Sequence, residues 1–244
     1  MNFEVNLFSV FFVILMIYLT VAAPVSGYFE LKKLKNFESS SENKKLKEYR
    51  HIIIWSWIPV LLIFLQIPLS DMTLCNLGFR WIAINPDAFS NWIVIPFVVV
   101  CLIYFLYNVY LIIIMKTDEK VRAEASKKLP DDITLLLPVT KQEKKTWVYV
   151  ALTAGITEEI VYRGYLFFAL EFLFPSLSIF YTLLISTVLF GIGHLYQGKD
   201  AVKPVILGLL FGFSYIVFDS IIPVMLLHIT QDLVVTDLID GQNV

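Results

Sequence analysis

The sequence is poor in charge: only 16% of its 244 residues are Asp, Glu, Lys or Arg, where an ordinary soluble domain has about 25%. The two signs nearly cancel, with 19 Lys and Arg against 21 Asp and Glu, which removes the electrostatic case for nucleic-acid binding. Histidine occurs three times and cysteine twice. Cys75 and Cys101 stand far apart in apolar surroundings, so no disulfide framework, CxxC site or zinc knuckle is expected, and both read as packing residues. There is no HExxH string, which excludes the familiar helix-borne zinc protease site. What fills the chain instead is apolar: 58% of residues are hydrophobic, against roughly 45–50% in soluble domains. A globule of this size cannot hide that much apolar surface from water. Disorder and a typical cytosolic enzyme are thereby excluded, and lipid is the expected solvent.

A helix that crosses the hydrocarbon layer needs about 20 apolar residues. Seven stretches are candidates, at 5–25, 52–69, 92–115, 147–173, 177–194, 205–218 and 221–235. The expected fold is therefore all-α, a polytopic membrane bundle of about seven helices, the last two short enough to be tilted or re-entrant. Val21, Ala22 and Ala23 resemble a signal cleavage site, but no Lys or Arg precedes the first apolar stretch, so a retained span is expected. Residues 71–91, with Arg80, Trp81, Pro86 and Phe89, read as interfacial. Most basic residues fall in segments 30–51 and 116–145, followed by Lys199 and Lys203. Alternating spans put all three on one side, which the positive-inside tendency makes cytoplasmic, with the N-terminus outside. Lys44, Lys45 and Lys47 alternate with Glu42 and Glu48 as in a solvated amphipathic linker. Gly208 and Gly212 share a helix face and predict close helix packing.

The organisation expected is an N-terminal membrane region over 1–146, a functional membrane domain over 147–237 and a tail over 238–244. Ionisable groups inside a span cost about 2.5–3.5 kcal/mol each even on the lenient insertion scale, so each calls for a partner or a task. They concentrate in the second region. The fourth span holds Glu158, Glu159 and Arg163, with Glu158 about 16 Å along the helix from Trp147. Glu159 and Arg163 are four apart and share a face, so the guanidinium can neutralise that carboxylate. Glu158 points about 100° away and is left free for chemistry. His194 ends the fifth span, while His228 and Asp232 are four apart in the seventh. The set supplies what amide hydrolysis requires, a carboxylate base and an imidazole to share the proton. It is also a donor set that zinc accepts, and one that a purely structural ion cluster would contain.

Three strings then stand in order on three spans: Glu158-Glu159-Ile-Val-Tyr-Arg163, Phe190-Gly-Ile-Gly-His194 and His228-Ile-Thr-Gln-Asp232. Together they resemble the CPBP family of CAAX proteases and bacteriocin-processing enzymes, over roughly 147–237. The resemblance implies an intramembrane endopeptidase in which Glu158 and His194 activate a water and His228 with Asp232 helps stabilise the oxyanion. Glu159 and Arg163 would support them, and Phe190 would pack beside the site. Asp232 departs from the Asn of the prenyl-protein enzymes; an ionised Asp only accepts, so orienting His228 suits it better. No cofactor is required if the glutamate does the work, and zinc is the alternative. The implied partners are a peptide or lipidated protein and the bilayer, with no nucleic acid, and the implied location is a bacterial cell membrane. Two other classes fit less well: a non-catalytic bacteriocin-immunity protein, and a transporter or proton relay, whose polar residues should line both leaflets rather than cluster.

Overall fold

The computed structural model describes residues 7–35, 42–84, 90–129 and 134–239. Pro86 and Phe89 of the expected interfacial segment, and all but the start of the expected tail, lie outside the described residues. Among them there are eight helices and no strand. Helix α1 covers 7–35, α-helical at Leu7–Ile17, opening into a π turn at Tyr18–Ala22 and resuming at Ala23–Lys35. Helix α2 is Glu42–Gln66, α3 is Asn91–Thr117 and α4 is Glu119–Ser126. Helix α5 starts as Lys141–Glu159, passes through a second π turn at Ile160–Tyr165 and ends as Leu166–Leu173. Helices α6 (Ile179–Gly193), α7 (Val202–Phe218) and α8 (Ile221–Leu233) complete the bundle.

The all-helical membrane architecture is as expected; the count of seven spans is not established. Four helical stretches are long and apolar enough to cross a membrane: Leu7–Lys32, Lys44–Leu69, Asn91–Thr117 and Leu195–Phe218. Helix α6 is apolar but shorter. Helix α5 has the length, yet it opens on Lys141, Lys144 and Lys145 and carries Glu158, Glu159, Arg163 and Glu171 further along. Helix α8 has 13 residues, about 20 Å at the helical rise, against a hydrocarbon layer of about 30 Å.

Residues Glu42–His51 are not a solvated linker. They form the first turns of α2, and Lys45 and Glu48 are buried there. The reason lies across the bundle, where the chain before α5 presents carbonyls that need donors. Lys45 Nζ donates to the Leu137 carbonyl at 2.8 Å and Tyr49 donates to that of Leu136 at 2.6 Å. Helix α5 itself starts on a capping box: Glu143 N donates to the Thr140 hydroxyl, and Glu143 Oε2 accepts from the amides of Val139 and Thr140. Buried Glu143 also lies 3.9 Å from Lys45 Nζ.

The opposite end is held by the described part of the interfacial segment. Arg80 pairs with Asp219 at 2.8 Å and donates to its carbonyl, and Ser220 donates to the Arg80 carbonyl. This clamps the tight α7–α8 turn, where Asp219 adopts a left-handed φ of 46°. Helix α5 runs between α2 and α8, and α7 packs on α6. Outward faces of α1, α2 and α3 are studded with Ile, Leu, Val and aromatic side chains, and Trp81 and Trp92 are almost fully exposed near the start of α3. Indoles at that level suit a membrane interface.

Candidate active site

Two neighbouring carboxylates of α5 have different surroundings. The Glu159 side chain is completely buried, and its Oε1 accepts from Arg163 Nη1 at 3.0 Å and from His228 Nδ1 at 2.6 Å. Arg163 is equally buried; its Nη2 donates to the Gly208 carbonyl at 3.0 Å and its guanidinium lies 4.6 Å from the centre of the Phe190 ring. Gly208 is small for a reason: a Cβ there would stand 3.1 Å from Phe190 and 3.6 Å from Arg163 Nη2. Among the described residues Glu158 pairs with no Arg or Lys. Its Oε2 has no hydrogen-bond partner and lies 3.9 Å from His228 Nε2.

The two site histidines are each fixed through Nδ1. A backbone carbonyl and a carboxylate are acceptors only, so in both rings the Nδ1 carries the proton that donates. His194 donates to the Phe190 carbonyl at 2.8 Å, which leaves Nε2 as the free face of the ring. It sits just past α6 at φ −104° and ψ 8°, the bridge region in which active-site residues recur. His228 donates to Glu159, and its Nε2 is 3.6 Å from Asp232 Oδ2. The carboxylate that fixes the His228 ring is therefore Glu159, with Asp232 on the far nitrogen. Asp232 is itself positioned through its backbone, whose carbonyl accepts from Trp147 Nε1 at 3.1 Å.

A cavity of about 150 Å³ adjoins this network. Tyr18 of α1, Pro59 of α2, Glu158 and Tyr162 of α5, and His194 and Tyr196 all line it. Glu158 and His194 face this shared space without a direct hydrogen bond, and the volume holds several waters at about 10–15 Å³ of such space per molecule. A second, apolar cavity of about 80 Å³ lies between α1 and α2, lined by Phe11, Ile14, Leu62 and Ile63, and shares Tyr18 and Pro59 with the first. All six expected site residues thus fall in one connected region, Glu158 and His194 on the cavity and the other four behind or beside it. Among the described residues no three His, Cys, Asp or Glu side chains converge as a metal site would need.

Residues 142–234, from the first turn of α5 to the end of α8, match the family described as Type II CAAX prenyl endopeptidase Rce1-like. The match supports a likeness of this part of the chain to the CPBP, or CAAX protease, family. No curated protein and no solved structure matches the chain. The family region contains every ionisable residue of the site, while Tyr18, Leu19, Ser56 and Pro59 of the cavity wall come from the helices before it.

Sequence reasoning missed Tyr162, Tyr196 and the contribution of α1. Tyr162 had a signal, since it stands four residues after Glu158 just as Arg163 stands four after Glu159. Tyr18 had none, because nothing in its own sequence neighbourhood says that α1 packs on the site.

Proposed function

We propose that the protein is an intramembrane endopeptidase in which Glu158 is the general base. The observation that carries this reading is the unequal treatment of two adjacent carboxylates. Glu159 is fully buried and its Oε1 is held by both Arg163 and His228, while Glu158 lines a cavity and, among the described residues, has no Arg or Lys in hydrogen-bonding contact. A water in that cavity gives its proton to Glu158 and attacks the scissile carbonyl. His194, turned by the Phe190 carbonyl, offers Nε2 to hold that water and to pass a proton toward the leaving amine. His228 stands beside Glu158 in one orientation because Glu159 holds its other nitrogen. Asp232 only accepts when ionised, so it serves His228 rather than an oxyanion.

The apolar cavity that meets the first at Tyr18 and Pro59 supports a substrate with a hydrocarbon group next to the cleaved bond, a prenylated protein, with a bacteriocin-like peptide as the related choice. The setting is a bacterial cell membrane, and the N-terminal region over 1–146 supplies part of the substrate wall. The test is Glu158→Gln, which keeps shape and removes the proton acceptor. The purified variant should fold normally and lose cleavage of a prenylated peptide by about 10²–10⁴-fold, the usual contribution of a positioned base. Undiminished cleavage by a well-folded Glu158→Gln protein excludes the mechanism. If instead cells carrying either form resist a bacteriocin equally and neither cuts, the protein is an immunity-type binder.

A further inference from the structure

Amide hydrolysis through a water needs a donor for the carbonyl oxygen as it gains charge. The charged site residues do not provide a neutral one, since Asp232 accepts, Arg163 is buried behind Glu159, and the His228 Nδ1 proton is already used. The cavity wall does. Tyr162 lies four residues after Glu158 on the cavity side of α5, its hydroxyl makes no hydrogen bond among the described residues, and the same cavity touches Glu158, Tyr162 and His194. That hydroxyl lies beside the peptide that leads into His194: a Cβ on Gly193 would be 3.1 Å from it. The ring cannot swing away, because it is buried edge-on against Phe190, with centroids 5.1 Å apart at 83°, and the Arg163 guanidinium lies 5.9 Å from its centre. Tyr196 reaches the same cavity, but its hydroxyl accepts from Gln197 in the 3-10 turns between α6 and α7 rather than standing on the helix of the base.

We propose that Tyr162 is a further catalytic residue, donating its hydroxyl hydrogen bond to the oxygen of the scissile carbonyl. The inference rests on the reading of Glu158 as base. Water oxygen bonds to the carbonyl carbon, the carbonyl π pair moves onto oxygen, and the water proton goes to Glu158. The oxyanion is held by Tyr162, which keeps its proton throughout. Collapse restores the carbonyl, breaks the C–N bond and sends the proton to the departing amine.

The experiment compares the parent, Glu158→Gln, Tyr162→Phe and Tyr196→Phe on one prenylated peptide, with melting temperature measured for each. Tyr162→Phe keeps the packed ring and removes only the hydroxyl, so it should melt like the parent and lose kcat by about 10²–10³-fold, the usual effect of removing one such donor, with KM little changed. A second variant covers loss of fold: 3,5-difluorotyrosine at 162 keeps ring and donor but ionises at lower pH. Its kcat should match the parent in mild acid and fall away at a lower pH than the parent as the hydroxyl loses its proton, a shift that a packing role would not produce. Full kcat in Tyr162→Phe, an unmoved pH profile in the fluorinated protein, or a loss confined to Tyr196→Phe overturns the role of Tyr162 while leaving Glu158 as base. Full activity of Glu158→Gln, or a parent that does not cut, overturns the underlying reading and this inference with it.

Discussion

Arg163 is a full positive charge with no exposed surface, held by one carboxylate and one backbone carbonyl and sandwiched near Phe190 and Phe211. Removing either partner of such a pair strands the other in a medium that solvates it poorly. Arg163→Ala should therefore cost about 3–5 kcal/mol and appear first as loss of folded protein in membranes. Arg163→Lys should recover only part of it, because an ammonium cannot serve Glu159 and Gly208 together with the planar fork of a guanidinium. Thermal melts of detergent-purified protein rank the three forms, and parent-like melting of Arg163→Ala would sink the assignment. This pair was legible in the sequence because a four-residue helical spacing is local geometry. His228 was legible as a candidate, but its link to Glu159 was not, since that contact spans 69 positions and only the packing of α8 on α5 creates it. The same holds for Tyr18, whose place at the cavity depends on where α1 comes to rest.

At the scale of elements, what brings α8 to α5 is a missing side chain. Gly155 faces Ile229, the residue after His228, and a Cβ at 155 would come 2.5 Å from Ile229 Cγ1 and 2.9 Å from its backbone nitrogen. Gly155→Ala should push α8 outward, lengthen the His228 contact with Glu159 and cost about 1–3 kcal/mol, as overpacking of a tight contact does. Adding Ile229→Ala should restore only part of the loss, since the backbone clash remains; complete restoration in the melt of the double variant would contradict this. Both π turns lie at the cavity. Tyr18–Ala22 carries Tyr18 and Leu19 to its wall, and Ile160–Tyr165 carries Val161 and Tyr162. A π turn admits an extra residue and turns the face that follows, and such turns are frequent at functional sites. Hydrophobic periodicity cannot reveal them, because strings such as Ile-Val-Tyr are apolar all round in either geometry. The long spans of α1, α2 and α3 were visible from composition alone. The buried start of α2 was not, because Lys45 looks solvated until the carbonyl that receives it is found across the bundle.

For the whole molecule, contacts at the two ends agree with an alternating path through the bilayer. Lys45 reaches Leu137 and Glu143, and Lys144 pairs with Asp237 at 3.1 Å, so the start of α2, the start of α5 and the turn just after α8 meet on one side. Arg80 with Asp219 joins the segment after α2 to the α7–α8 turn on the other. The basic excess belongs to the first group, and the positive-inside tendency predicts that this side is cytoplasmic. Native Cys75, exposed in the segment that carries Arg80, should then face outward, whereas Cys101 is buried. A membrane-impermeant maleimide applied to intact cells should label Cys75 in the parent. In a Cys75→Ser background it should not label Lys47→Cys or Lys127→Cys, two exposed positions on the basic side, until the membrane is opened. Labelling of 47 or 127 in sealed cells would reverse the molecule. The cavity that Glu158 shares with Tyr196 would then have to be reached from outside, because Tyr196 packs against Gly27 in the part of α1 that leads to the basic segment.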